Sequence, residues 1–204
     1  MTTSIFCRRI IAIVSVTGIF ALGCAKNDAE AQPKSSSKGT PTASASSAQV
    51  YVLKSFQPAK GGALPDFSWT ANGSEVKFSE FTKGKAVFLN YWATWCPPCR
   101  REIPDIIQLA KEYGDKVVFI GIALENESAA LAAQKLVSVY ANKSGITYIN
   151  LVGSGEIVSA LSELYGAVQA IPTTFIFGKD GKIAQRIDGS TNKESFLMEL
   201  KKAM

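Results

Sequence analysis

The chain alternates short apolar runs with segments of helical spacing. Runs rich in valine, isoleucine and aromatic residues predict strands at Ala86 to Trp92, Val117 to Leu124, Thr147 to Val152 and Thr173 to Phe177. Apolar residues spaced three or four positions apart predict helices at Cys96 to Tyr113, Ser128 to Asn142, Glu156 to Tyr165 and Lys193 to Met204. Such alternation predicts an α/β fold whose sheet is covered by helices on both faces.

Two dipeptides predict tight turns between strands. Asn72-Gly73 separates two short apolar stretches, and Asp180-Gly181 lies between Phe177 and Ile183. Asn-Gly and Asp-Gly favour the positive φ angles of two-residue hairpins. The sequence therefore predicts an N-terminal hairpin, and a last pair of strands that is antiparallel.

The amino end has the pattern of an export signal. Arg8 and Arg9 precede an apolar run from Ile10 to Leu22, and this run is too short for a bilayer core of about 30 Å. We therefore predict a signal peptide over residues 1–23. Residues 21–24, Ala-Leu-Gly-Cys, resemble the bacterial lipobox, with Cys24 as the lipid-attachment residue, although alanine stands where leucine is usual. Ordinary cleavage, which would leave a protein without lipid, is the alternative.

Composition divides the remaining chain into a tether and a domain. Residues 24–49 are mostly small and polar, so they cannot bury enough apolar surface to fold and are predicted to form a flexible tether. Residues 50–204 have the size of one globular domain. The whole chain has a formal charge of +5, but the domain carries 17 Lys and Arg against 15 Asp and Glu. Because no basic stripe remains in the domain, the sequence does not support nucleic-acid binding.

The sequence Cys96-Pro-Pro-Cys99 opens a predicted helix directly after a predicted strand. The partial positive charge of a helix start favours a thiolate, so Cys96 is predicted as the nucleophile and Cys99 as the resolving thiol of a redox-active disulfide. Pro97 and Pro98 have no N–H, so the first backbone donor available to the Cys96 sulfur is that of Cys99. Weak stabilisation of the thiolate predicts a reductant rather than a strong oxidant.

Two other interpretations of the cysteine pair are half of a zinc site and a purely structural disulfide. Zinc needs four ligands, yet the chain contains no histidine, and its other cysteines, Cys7 and Cys24, lie in or next to the predicted signal. A disulfide that closes so short a loop adds little stability. Without histidine, neither a Ser-His-Asp nor a Cys-His system can form. We predict neither a metal nor any other cofactor.

Four stretches together resemble the TlpA/ResA-type extracytoplasmic thioredoxin-like proteins. They are Leu64 to Phe67 (LPDF), Gly84 to Pro104, Ile171 to Phe177 (IPTTFIF) and Lys179 to Ile183 (KDGKI). The resemblance covers about residues 58–204. It implies a thioredoxin-like fold, in which a central mixed sheet is flanked by helices, with an N-terminal hairpin and a helix-strand insertion over about Ser128 to Val152.

The resemblance also implies a substrate-binding surface. Pro172 matches the proline that is cis in the thioredoxin fold and lies against the disulfide. The backbone at Ile171 and Pro172 would then leave a free edge with which an extended substrate pairs. Trp95 and Pro97 flank the nucleophile and are expected to shape the same surface.

Glu102 is the third catalytic candidate. It lies three positions after Cys99, hence on the same side of the predicted helix, and it matches a glutamate that the family carries beside its thiols. The resemblance implies a role in proton transfer or in setting how readily the thiols ionise. Asn90 stands where thioredoxins have a buried aspartate, which makes Glu102 the better candidate for that task. An exposed glutamate without function is the alternative.

These observations predict a thiol-disulfide oxidoreductase that reduces disulfides in exported proteins and is held to the membrane of the bacterial cell envelope by lipid. The resemblance implies a membrane thiol donor of the DsbD or CcdA kind, and apocytochrome c as a candidate client. A disulfide oxidase or isomerase would use the same residues. A peroxiredoxin-type peroxidase expects a Pro-x-x-x-Thr-x-x-Cys setting that Thr94 and Cys96 do not reproduce, and a metal-delivery module expects Cys-x-x-x-Cys and a histidine.

Overall fold

In the described part of the chain, eight strands form one mixed sheet. The computed structural model of the protein describes residues 48–58 and 65–204. The elements, in chain order, are β1 (Val50–Gln57), β2 (Asp66–Ala71), β3 (Ser74–Lys77), α1 (Phe78–Phe81), β4 (Ala86–Trp92), α2 (Pro97–Tyr113), β5 (Val117–Ala123), α3 (Ala130–Ser144), β6 (Ile149–Val152), α4 (Gly155–Leu164), β7 (Thr173–Phe177), β8 (Ile183–Asp188) and α5 (Lys193–Ala203). Across the sheet the order is β3-β2-β1-β6-β5-β4-β7-β8.

The sheet has a parallel centre and antiparallel edges. Strands β1, β6, β5 and β4 run parallel to one another, whereas β7 and β8 add an antiparallel pair at one edge and β2 and β3 another at the opposite edge. The predicted fold class is therefore confirmed. The predicted insertion corresponds to α3 and β6, and β6 lies between β1 and β5.

Helices cover both faces of the sheet. Helices α2, α3 and α5 bury residues such as Ile106, Val137 and Phe196 on one face, while α1 and α4 bury Phe78 and Leu161 on the other. All seven residues of β4 are buried, as expected for a strand packed on both faces. This central strand leads directly to the cysteine pair.

The predicted elements with continuous apolar runs agree best with the structure. Strands β4 and β7 have the predicted bounds, β5 and α5 end one residue earlier than predicted, and α4 is shifted by one residue toward the amino end. Asn72 and Gly73 have φ angles of 51° and 77°, so both adopt the positive φ that the predicted hairpin requires. The hairpin at Asp180-Gly181 also forms, since β7 and β8 are antiparallel.

Two elements were not predicted, and two were displaced. Only Val50 and Leu53 of β1 are buried, so its apolar signal is weak, and α1 is a single turn. Helix α3 begins and ends two residues later than predicted, and Gly145, at φ +76°, ends it in a left-handed cap. Strand β6 begins at Ile149, two residues after the predicted start.

Several predictions concern residues outside those described. The signal peptide at 1–23 and the lipid-attachment Cys24 lie there, as does most of the predicted tether at 24–49. Among the described residues, no helix is both long enough and apolar enough to cross a membrane.

Candidate active site

Cys96 and Cys99 form a disulfide at the start of α2. Cys96 is the N-cap residue, and its sulfur accepts a hydrogen bond from the Cys99 amide at 3.2 Å. This is the donor that the sequence predicts, since Pro97 and Pro98 carry no N–H. Both cysteines are buried, Cys96 with 2% of its surface exposed and Cys99 with none. The helix start therefore offers the Cys96 sulfur one backbone donor and little water.

The predicted substrate-binding residues are arranged around Cys96. The peptide bond between Ile171 and Pro172 is cis, and the Ile171 carbonyl oxygen lies 3.7 Å from the Cys96 sulfur. Ile171 is half-buried, and Pro172 is buried. Trp95 and Pro97 are exposed on either side of Cys96 in the chain, and the Trp95 indole N–H donates to the Leu124 carbonyl at 3.2 Å. An exposed, partly apolar surface thus adjoins the disulfide.

Glu102 is buried one helical turn after Cys99, with 1% of its surface exposed. Its Oε1 accepts from the Asn90 amide Nδ2 at 3.0 Å, and its Oε2 accepts from the Thr191 backbone amide at 3.3 Å. Burial raises the pKa of Glu102 to about 7, although the hydrogen bonds from Asn90 and Thr191 oppose this shift. Near neutral pH this carboxyl group can therefore release or take up a proton.

Asn90 holds Glu102 from the centre of the sheet. Its Nδ2 also donates to the Thr174 hydroxyl on β7 at 3.0 Å, so one amide group links β4, α2 and β7. Its Oδ1 is buried without a hydrogen-bond partner among the described residues. The buried acidic group beside this amide is Glu102, on the neighbouring helix α2.

The comparisons with known proteins agree with this geometry. A family profile described as Redoxin matches residues 59–203. The thiol-disulfide oxidoreductase ResA of Bacillus thuringiensis subsp. konkukian is 36% identical over 155 residues, which cover 76% of this chain and 84% of the relative. The thioredoxin-like protein YneN of Bacillus subtilis is 32% identical, covering 74% of this chain and 85% of the relative. The chain belongs to the redoxin family, as a TlpA/ResA-type thioredoxin-like protein.

Solved structures support the same assignment. A thiol:disulfide interchange protein of the thioredoxin family from Chlorobium tepidum TLS has a TM-score of 0.58 and 33% identity, covering 71% of this chain and 97% of that structure. The exposed lipoprotein thioredoxin Etrx1 of Streptococcus pneumoniae has a TM-score of 0.54 and 27% identity, covering 67% and 98%. This redoxin-family chain is a thiol-disulfide oxidoreductase.

Glu125 holds the loop before Cys96 in place, and no role was predicted for it from the sequence. It follows the end of β5, and its two carboxylate oxygens accept from the Thr94 amide at 2.7 Å and the Thr94 hydroxyl at 2.8 Å. The Thr94 hydroxyl therefore donates its hydrogen bond to Glu125. In a peroxiredoxin-type peroxidase we would expect the threonine to contact the cysteine instead. Glu125 follows the carboxyl end of β5, which is parallel to β4, and this position is the sequence signal from which its place near the site could have been predicted.

The loop between β8 and α5 also contributes to the site without having been predicted. The Ser190 hydroxyl donates to the Pro98 carbonyl at 3.3 Å, and Thr191 donates to Glu102, 89 residues away in sequence. These contacts fix the first turn of α2 and the carboxyl group beneath it. No sequence motif in this loop predicts such a role.

No metal site accompanies the cysteines in the described residues: no three side chains of the metal-binding types come together there. The groups that the described structure brings together at the site are the two sulfurs, Glu102 and the surrounding backbone. Cys24, the remaining predicted site residue, lies outside the described part of the chain.

Proposed function

We propose that this oxidoreductase works outside the cytoplasm as a reductase of disulfides in exported proteins. The observation that carries this direction is the single backbone donor to the Cys96 sulfur, at 3.2 Å. A strong oxidant stabilises its reduced thiolate form, whereas few donors leave the disulfide relatively stable. The reduced protein would then give up its electrons readily.

In the proposed reaction, the Cys96 thiolate attacks one sulfur of a client disulfide. A mixed disulfide forms, and the other client sulfur leaves as a thiolate that takes up a proton. The Cys99 thiol then loses its proton and attacks the Cys96 sulfur, which releases the second client thiolate. Two electrons pass to the client, and the Cys96–Cys99 disulfide forms in the protein.

Glu102 is proposed to accept the proton of Cys99 in the second step. It lies one turn along the same helix, and its pKa of about 7 leaves a substantial fraction ionised at neutral pH. As a carboxylate it takes up the proton, and as a carboxylic acid it can return one when the protein is reduced again. A base with a pKa near the working pH suits such a transfer.

Client binding is proposed at the surface formed by Trp95, Pro97, Ile171 and Pro172. The Ile171 carbonyl oxygen is a backbone acceptor only 3.7 Å from the Cys96 sulfur. A client segment in extended conformation could pair with this backbone while Trp95 packs against its side chains. Backbone pairing of this kind tolerates many client sequences.

The proposed location is the outer side of a membrane, with lipid on Cys24 and residues 25–49 as the tether, of which Ala48 and Gln49 already hydrogen-bond to the domain. The lipobox-like residues 21–24 support this proposal, as does the likeness to a pneumococcal protein described as an exposed lipoprotein. In an oxidising compartment the protein needs a source of electrons, and we propose a membrane thiol donor of the DsbD or CcdA kind. The haem-binding cysteines of apocytochrome c are the client that we propose first.

Trapping of mixed disulfides tests the proposal. A Cys99→Ser variant should attack clients and stall, because the second thiol is missing, so covalent complexes should accumulate in cells. Cys96→Ser is the matched control and should trap nothing. Mass spectrometry of the complexes identifies the clients. Complexes that form with Cys96→Ser and not with Cys99→Ser would show that the nucleophile is assigned wrongly.

A further inference from the structure

The outer face of α3 exposes large aliphatic side chains. Leu131, Leu136 and Val139 are 73%, 41% and 63% exposed, whereas the opposite side of the helix is buried against the sheet. A surface helix normally turns polar residues toward water. The outer face of α3 thus carries aliphatic side chains in addition to polar ones, which indicates a contact beyond the domain itself.

The charges on this face are positive only. Lys135 and Lys143 are exposed on α3, and the helix contains no acidic residue. The nearest acidic residue before it in the chain is Glu127, three positions ahead of the first helical residue. Aliphatic side chains mixed with lysines match an anionic lipid surface, where lysines meet the headgroups and the aliphatic groups enter the interface.

The tether joins the domain beside this helix. The Ala48 amide donates to the Asn142 side chain near the end of α3 at 3.0 Å, and the Gln134 side chain of α3 donates to the Val50 carbonyl at 2.7 Å. Between Cys24 and Ala48 there are 23 residues, which can span at most about 80 Å. An anchor on Cys24 would therefore limit the distance between α3 and the bilayer to that span at most.

We propose that the outer face of α3, defined by Leu131, Lys135, Leu136, Val139 and Lys143, lies on the anionic phospholipid surface of the membrane that holds the anchor. This inference rests on the proposed lipid attachment. Three large side chains are too few for a stable protein interface, which commonly buries about 1,200–2,000 Å². They suffice for a surface contact that the tether already keeps at high effective concentration.

The proposed contact leaves the active site accessible. Ala48 lies at the amino ends of the parallel strands, whereas Cys96 follows the carboxyl end of β4. The tether therefore joins the domain at the opposite ends of these strands from the disulfide. With α3 on the lipid surface, the domain has a defined orientation, and clients can approach Trp95 and Cys96 from the side away from the tether.

A tryptophan reporter on α3 tests this orientation. The full-length protein with Val139→Trp is reconstituted into vesicles of phosphatidylcholine with or without phosphatidylglycerol, and brominated lipids serve as quenchers. Met198→Trp, at a 55% exposed position on α5, is the matched control. We expect stronger quenching at position 139 than at position 198, in anionic vesicles above all. Lys135→Glu with Lys143→Glu should lower the contact equilibrium by at least about fivefold per lysine, since each change removes an attraction and adds a repulsion.

The outcomes separate the two proposals. Vesicle flotation reports the anchor: a full-length protein that does not float overturns the lipid attachment, and the inference with it. A protein that floats but shows equal quenching at both positions overturns the α3 contact alone. Quenching that survives the lysine substitutions contradicts an anionic surface. In detergent, the tryptophan at position 139 could instead become less accessible to solvent as the protein concentration rises. That result would assign this face to a contact with a second copy, and it also overturns the proposal.

Discussion

Glu102 is the residue whose carboxyl group connects the sheet, helix α2 and the last loop at the site. It lies between Asn90 of the sheet and Thr191 of the last loop, one turn from Cys99. Hydrogen bonds favour its charged form, but burial favours the neutral form more and raises its pKa to about 7. A glutamate on the exposed side of the same helix would lack this burial and would not have its pKa raised toward neutral pH.

Replacement of Glu102 by glutamine should slow thiol-disulfide exchange without unfolding the protein, because the change removes the proton acceptor and little volume. Loss of a general acid-base group costs about a hundredfold or more, and we expect at least the lower end of that range. Stopped-flow reduction of insulin disulfides between pH 5 and 9 measures the effect. The wild-type inflection near pH 7 should vanish in Glu102→Gln.

The matched control is Glu112→Gln, on the same helix, where the side chain is 48% exposed and pairs with Lys193. It should keep both the rate and the inflection of the wild type. An unchanged pH profile in Glu102→Gln would mean that the buried carboxyl group takes no part in proton transfer.

Strands β4, β5 and β6 are packed too closely at Gly121 to accept a side chain. A Cβ atom there would lie 2.7 Å from Trp92 Nε1, and it would also strike the Asn150 side chain. Those two groups are hydrogen-bonded to each other at 3.1 Å across β5. The absence of a side chain at Gly121 thus leaves room for the hydrogen bond between the buried Trp92 indole and the buried Asn150 amide, at the end of β4 that leads to the cysteine pair.

Gly121→Ala should therefore destabilise the protein by about 1–3 kcal/mol, the usual cost of overpacking a core. Chemical denaturation measures the free energy of unfolding. Gly155→Ala is the control, since an added methyl group there meets nothing within 4 Å. Equal stability of the two variants would show that the contact relaxes at no cost.

At this scale, the sequence predicts those elements whose signals are local. Strands β4 and β7 are unbroken apolar runs, and both hairpins carry their own turn residues. Strand β1 could not be predicted because it is stabilised by neighbours on both sides rather than by its own burial. Similarly, Cys96, Cys99 and Glu102 stand in one local motif, whereas Glu125 and Thr191 reach the site through contacts 31 and 89 residues away in sequence.

For the whole molecule, the buried carboxyl group links protonation to stability. The pKa of Glu102 is about 7 in the folded protein and 4.5 as its ordinary value. The folded state therefore binds more protons than the unfolded state between these values. The stability from neutral Glu102 is fully present below pH 4.5 and is lost as the pH rises to about 7.

This loss should amount to about 3 kcal/mol, since one pKa unit corresponds to roughly 1.4 kcal/mol. We predict that the free energy of unfolding of the oxidised wild type, relative to that of Glu102→Gln, falls between pH 4.5 and 7. Urea denaturation at a series of pH values measures this difference, in which the other titrating groups cancel. A difference that stays constant or rises with pH contradicts a buried neutral carboxyl group.

The central claim, that the molecule reduces its clients, is tested most directly by the reduction potential of the Cys96–Cys99 pair. The protein is equilibrated against graded glutathione or dithiothreitol buffers, with the fluorescence of Trp95 as reporter. We predict a potential nearer about −270 mV, as in thioredoxin, than about −120 mV, as in a strong oxidant. That gap corresponds to about 7 kcal/mol of disulfide stability, so the two outcomes are easily separated. A value above about −160 mV would contradict the account and make the protein an oxidant.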